Sequence, residues 1–242
     1  MSALSSKEQA IFERAVAFAR AHKKAIAREL VDTSILPAED RPVSVFMAGS
    51  PGAGKTETAE ELVERFSHPI LRIDADALRE RFAEYNGANS HLFQHASTTL
   101  VDCIHDLALK RKRSFILDST FSHEEKALKN VERSLNKQRQ VHIFYVYQDP
   151  VIAWNFVRAR ELTEGRRILK STFIARYFNA RSVVQRAKEK YQERVLLHVL
   201  IKNIDNSTRQ RYVSVERIDD IIRESYTAEQ LESLLPALEI TQ

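Results

Sequence analysis

Apolar residues along this chain follow two rhythms. Short apolar runs occupy Val43–Ala48, PILRID at 69–74, SFILD at 114–118, VHIFYVY at 141–147 and VLLHVLIK at 195–202, and each predicts a buried strand. Between them, the stretches 54–66, 91–112, 123–137 and 171–190 contain no proline and repeat apolar positions at i, i+3 or i+4, which predicts helices. A further helix is predicted over 5–31. There Ser5 and Glu8 have the spacing of a capping box, and Ile11, Val16, Phe18, Ala19 and Ile26 recur at helical intervals. A polar linker with Pro37 and Pro42 separates it from the first strand.

Strand and helix in alternation imply parallel strands joined by right-handed crossovers, a three-layer α/β sheet flanked by helices. The pattern divides the chain into an N-terminal helical extension, 1–41, and one α/β domain, 42–242, with no internal repeat and no low-complexity tract. The first helix has two readings: an extra layer on the sheet, or a built-in cover over a substrate cleft.

Composition narrows this little. The 242 residues are 43% hydrophobic and 29% charged, enough for a sizeable core. Lys and Arg number 37 against 33 Asp and Glu, an excess too slight to argue for nucleic acid. One cysteine, Cys103, excludes an internal disulfide and points to a reducing compartment. No run of 18 apolar residues and no signal-peptide order occurs, so the expected location is the cytoplasm, away from membranes.

The chemistry starts at Gly49-Ser50-Pro51-Gly52-Ala53-Gly54-Lys55-Thr56. It fits G-x-x-x-x-G-K-[ST], and it follows a predicted strand and opens a predicted helix, as a phosphate-binding P-loop requires. Its backbone N–H groups and the helix dipole would cradle the phosphates of ATP, Lys55 would reach the β- and γ-phosphates, and Thr56 would ligate Mg²⁺.

In an open parallel sheet, ligands lie beyond the carboxyl ends of the strands. Asp74 and Asp76 stand at one such end. Either fits a base for an attacking hydroxyl, and either fits a helix N-cap. FILDST at 115–120 ends its strand with Asp118, a candidate Mg²⁺ holder, followed by Thr120, a substrate contact or a turn residue. Asp102 lies inside an amphipathic helix, where periodicity reads it as solvated. The segment NFVRARELTEGRRILKSTF, 155–173, carries Arg158, Arg160, Arg166 and Arg167 around Gly165 and reads as an arginine-bearing lid helix and loop over a migrating phosphoryl group. A solvated face with pairs such as Arg160–Glu164 is the plainer reading.

The order MAGSPGAGKTE, IDADALR, an acid within a long helix, ILDST and RARELTEGRRI resembles the zeta toxin family of P-loop kinases over about residues 43–205. The resemblance implies an ATP- and Mg²⁺-dependent kinase acting on the 3′-hydroxyl of UDP-N-acetylglucosamine, commonly restrained by an antitoxin. It implies Lys55 and Thr56 at the phosphates and metal, Asp76 as base, Asp102, Asp118 and Thr120 on the sugar-nucleotide, and one arginine of each pair, Arg158 or Arg160 and Arg166 or Arg167, on the lid. Here both acidic substrate positions are Asp where the family tends to carry Glu, and Ser119 replaces a usual glycine. The same chemistry on another nucleotide, a dinucleotide or an RNA 5′-hydroxyl, and a nucleotide-dependent binding switch, are the alternative readings.

Overall fold

The computed structural model describes residues 4–223 and 225–236; the outer ends of the two expected units, 1–3 and 237–242, lie outside them. The elements run α1 (Ser6–Val31), β1 (Val43–Ala48), α2 (Lys55–Arg65), β2 (Leu71–Asp74), α3 (Ala75–Arg79), α4 (Gln94–Lys110), β3 (Phe115–Asp118), α5 (Glu124–Leu135), β4 (Gln140–Tyr147), α6 (Pro150–Glu164), α7 (Lys170–Tyr191), β5 (Val195–Lys202), β6 (Thr208–Tyr212) and α8 (Ala228–Leu234). All five predicted strands form, in the spatial order β2-β3-β1-β4-β5-β6.

The expectation of a parallel sheet holds for β1 to β5 and is corrected at the edge, where β6 pairs antiparallel with β5. The sequence of β6, TRQRY, has no apolar run because most of the strand is exposed on both faces. Its hydrogen bonds to β5 define it, and those are invisible to a hydrophobic pattern.

The lid segment contains a full helix, α6. Asp149 caps it by accepting from the N–H groups of Val151 and Ile152, Pro150 takes the first turn, and Gly165 ends it in a left-handed conformation (φ 70°). Its Trp154 and Val157 pack with Phe173, Ile174 and Tyr177 of α7 and Leu231 of α8 into a satellite core. This cluster fixes the two arginine-bearing helices to each other.

The capping box at Ser5 and Glu8 forms as predicted. Ala15, Ala19, Ile26, Ala27 and Val31 of α1 join the main core together with Leu100 and Ile104 of α4. None of the α1 side chains lines the cleft described below. Among the described residues no helix is long and apolar enough to cross a membrane.

Candidate active site

A cleft opens beyond the carboxyl ends of β1, β2 and β3, as the sheet topology dictates. On one side lies the loop between β1 and α2. Gly52 has φ 73°, and a Cβ there would run into the carbonyl oxygen of Ala153, so only glycine lets the loop lie this close to α6. Gly54 is the left-handed N-cap of α2, and no side chain caps the helix, which leaves its first N–H groups open to an anion. Gly49 donates its N–H to the carbonyl of Thr120 (3.2 Å), tying the loop to the end of β3.

Lys55 donates from Nζ to the carbonyl of Ser50 (2.7 Å). Burial is the main force on its ammonium and lowers it to about 8, against the attraction of Asp118 and Asp76. An anion in the loop would relieve that strain. Thr56 Oγ1 donates to Asp118 Oδ2 at 3.4 Å, so hydroxyl and carboxylate converge beside Lys55. Among the described residues no group of three or more His, Cys, Asp or Glu side chains is arranged to hold a metal. One hydroxyl and one carboxylate beside a phosphate cradle fit Mg²⁺, which commonly takes a carboxylate or two and fills its shell with phosphate oxygens and water.

Strands β2 and β3 end in register, Asp74 opposite Asp118. Arg72 bridges them, donating from one nitrogen to Asp74 (2.9 Å) and Asp118 (3.0 Å) and from another to Glu60 (2.9 Å). Of the two roles open to Asp74, the structure displays the cap: its carboxylate accepts from the Asp76 N–H at 2.8 Å. Burial and the charge of Asp118 push the Asp74 carboxyl up.

Asp76 accepts from two guanidiniums, Arg79 one turn on and Arg166 from the loop between α6 and α7. Burial would raise its carboxyl, but Arg166 and then Arg79 outweigh burial and hold it below the usual range. Asp76 is therefore a carboxylate, able to receive a proton. Arg79 continues the chain to Gln94 Oε1 (2.7 Å) at the start of α4.

The remaining expected residues divide. Pro51, Gly52, Lys55, Thr56, Asp76, Asp118, Thr120, Arg160 and Arg166 line the cleft, whereas Arg158, Arg167 and Asp102 do not. Arg160 forms the i, i+4 pair with Glu164 (3.0 Å), and Arg167 faces Glu161 at 3.8 Å. Asp102 pairs with Lys126 of α5 at 2.8 Å, with its side chain 48% exposed. Thr120 shares a hydrogen bond with Ser122 (2.8 Å).

Four cleft-side residues escaped the sequence reading: Arg72, Arg79, Gln94 and Arg176. Arg79 carried a signal, standing three residues after Asp76 on the same helical face. Arg176 carried none, because α7 reads as an ordinary amphipathic helix.

A family model described as "Zeta toxin" matches residues 26–214. No curated protein matches the sequence. Among solved structures, one from the PezAT chromosomal toxin–antitoxin system of Streptococcus pneumoniae is 16% identical, with a TM-score of 0.59 over 97% of this chain and 90% of that one. The AvrRxo1-ORF1:AvrRxo1-ORF2 complex with sulphate ions is 13% identical over 91% of this chain and 73% of that one, with a TM-score of 0.59. The same complex with ATP is 14% identical over 86% and 66%, with a TM-score of 0.57. At such identities the likeness is one of fold.

Proposed function

The chain belongs to the zeta toxin family of P-loop kinases and is a phosphotransferase, and from that premise we propose that it moves the γ-phosphoryl group of ATP to a hydroxyl of a nucleotide-sugar such as UDP-N-acetylglucosamine. The observation that carries this reading is the single cleft joining Lys55, at the phosphate-binding loop, to the carboxylate of Asp76 at the end of β2. A donor phosphate and an acceptor hydroxyl would meet between them.

In this reading the loop 49–56 holds the triphosphate, and Lys55 binds its β- and γ-oxygens. Asp76 orients the acceptor hydroxyl and takes its proton as the new bond to phosphorus forms. Arg160 and Arg166 hold charge on the migrating group, and the pairing of Arg166 with Asp76 supports this by keeping the lid arginine at the point of transfer. Thr56 and Asp118 would hold Mg²⁺, which neutralises charge on the β- and γ-phosphates. Thr120 and Asp118 face the acceptor. Residues 42–242 make up the kinase domain in this reading, and the helical extension 1–41 is an extra layer on it, a role supported by the α1 side chains in the main core.

One observation favours a different acceptor within the same chemistry. Asp102, which the family resemblance assigns to the sugar-nucleotide, is engaged by Lys126 and does not line the cleft. We place the protein in the cytoplasm and expect an antitoxin partner, as the family and the complexes named above suggest.

The test is transfer of label from γ-labelled ATP to UDP-sugars, NAD, nucleosides and a short 5′-hydroxyl RNA, with Asp76→Ala as control. Label on UDP-N-acetylglucosamine that vanishes in the variant supports the full reading. Label on another acceptor keeps the kinase and reassigns its substrate. No label on any acceptor, with ATP bound, turns the reading toward a nucleotide-dependent switch.

A further inference from the structure

The cations lining the cleft are Lys55, Arg79, Arg160, Arg166 and Arg176, against the carboxylates of Asp74, Asp76 and Asp118. Four of the five are already engaged by the protein. Lys55 donates to the Ser50 carbonyl, Arg79 to Asp76 and Gln94, Arg160 to Glu164, and Arg166 to Asp76. Arg176 alone has no hydrogen-bonding or ion-pairing partner among the described residues, although it is half-buried.

Its position is also held against a cost. Phe173, Ile174 and Tyr177, the neighbours of Arg176 on α7, are buried in the satellite core with Trp154, so the helix cannot turn the side chain away without unpacking that cluster. Burial comes first among the forces that weaken its hold on a proton, followed by the like charges of Arg166 and Arg79, with Asp76 opposing. A guanidinium kept among like charges with no carboxylate paired to it is arranged for an anion that arrives with the substrate. Lys55, on the donor side, feels the charge of Arg176, and Arg176 in turn feels that of Asp76, on the acceptor side. The group that passes between those two is the phosphoryl group in transit.

We propose that Arg176 is a further catalytic residue, which joins Arg160 and Arg166 in binding the oxygens of the migrating γ-phosphoryl group. This rests on the kinase reading and is independent of which acceptor the enzyme uses. In the step itself, the acceptor oxygen forms a bond to the γ-phosphorus, the bond from that phosphorus to the β–γ bridging oxygen breaks, and the acceptor proton passes to Asp76. ADP leaves with the bridging oxygen. Negative charge on the equatorial oxygens is what a fixed guanidinium stabilises during this exchange. Because the planar fork of arginine matches phosphate oxygens in pairs, lysine would replace it only in part.

The experiment compares wild type, Arg176→Ala and Arg176→Lys in the full chain by titration with ATP and with ADP, by turnover on whichever acceptor the wild type labels, and by thermal unfolding without ligand. The expected result for the alanine variant is ADP affinity within about twofold of wild type, ATP affinity at least about tenfold weaker, and kcat lower by about 100-fold. Lysine should recover part of both losses. The melting temperature of the empty protein should stay level or rise, since the change removes repulsion from Arg79 and Arg166, whereas an arginine of purely structural role would lower it. Equal weakening of ATP and ADP, or unchanged ATP binding and turnover, would overturn the proposal. A rise confined to the acceptor KM would also overturn it and move Arg176 to the acceptor. A wild type that bound neither nucleotide would sink the kinase reading itself, an outcome visible before any variant is compared.

Discussion

Arg166, in the loop that follows α6, donates to the carboxylate of Asp76 at the far side of the cleft, so the lid cation and the candidate base are paired before any substrate enters. The pairing holds the α6–α7 corner over the ends of β2 and β3. It also leaves a buried partner exposed to loss: Arg79, 3% exposed, donates to the same carboxylate. Replacing Asp76 by alanine should abolish transfer by at least about 100-fold while ATP still binds. It should also cost about 1–3 kcal/mol of stability, because the Arg79 guanidinium loses its carboxylate acceptor. Asp76→Asn keeps an acceptor oxygen, so it should lose activity equally and stability less. Labelled-phosphate transfer and chemical denaturation on the two variants separate the effects, and equal stability losses would contradict the account.

Gly52→Ala should damage the loop from both directions. The new Cβ would meet the Ala153 carbonyl of α6, and φ 73° disfavours any L side chain. The expected cost is about 1–3 kcal/mol of stability, with weaker ATP binding as the loop moves to relieve the contact. Thermal unfolding and nucleotide titration read the two. Full stability with full affinity would mean that α6 yields at no cost.

The strands of the parallel part of the sheet were legible because each is a short, mostly apolar run, and the phosphate loop because its glycines and lysine follow one strand and open one helix. What the sequence concealed depends on pairing across distance. The edge strand β6 exists through its hydrogen bonds to β5, and Arg176 reaches the cleft only because α6 and α7 pack through Trp154 and Phe173. The four lid arginines looked alike in sequence. Arg158 and Arg160 stand two residues apart on α6, about 200° around its axis, and Arg166 and Arg167 are consecutive after Gly165, so only Arg160 and Arg166 of the four line the cleft.

Asp102 tests how far the family resemblance extends into the acceptor half. Paired with Lys126 and half exposed, it should be replaceable by alanine at a cost below about 1 kcal/mol, as for other surface ion pairs. Turnover and acceptor KM should stay within about twofold, whereas Thr120→Ala, inside the cleft, should raise the acceptor KM. A tenfold loss on Asp102→Ala would show that the helix turns this carboxylate to the acceptor in the working complex.

Arg139 is a buried cation of the opposite kind, held by structural partners. At 4% exposure it donates to Ser44 Oγ (2.6 Å), to the carbonyls of Val43 (2.9 Å) and Arg113 (2.5 Å), and lies 5.0 Å from the Phe115 ring centre. It joins the amino-terminal ends of β1, β3 and β4, remote from the cleft. Arg139→Met should destabilise by about 1–3 kcal/mol through the carbonyls left unpaired, with kcat and both KM values unchanged at a temperature where the variant is folded. A selective fall in kcat would contradict a structural role.

His105 should make the fold sensitive to acid. It is 1% exposed, edge-on to Phe46 and Phe115, and burial, followed by the charges of Arg133, Arg139 and Lys126, lowers its imidazole from 6.5 to about 3. The folded chain therefore keeps His105 neutral down to about pH 3, while the unfolded chain protonates it near 6.5. Its contribution to stability is complete above pH 6.5 and is lost as pH falls from 6.5 toward 3, at a limit of about 1.4 kcal/mol per pH unit for one proton. His105→Leu removes that proton from the balance, so its unfolding free energy should fall less steeply than that of wild type between pH 6 and pH 4. Some slope should survive, because His198, lowered by burial and by His142 to about 4, obeys the same linkage. Denaturant titrations of both proteins at pH 7, 6, 5 and 4 give the comparison. Parallel curves would mean that His105 takes up its proton within the fold, with Phe46 and Phe115 moving aside to admit water.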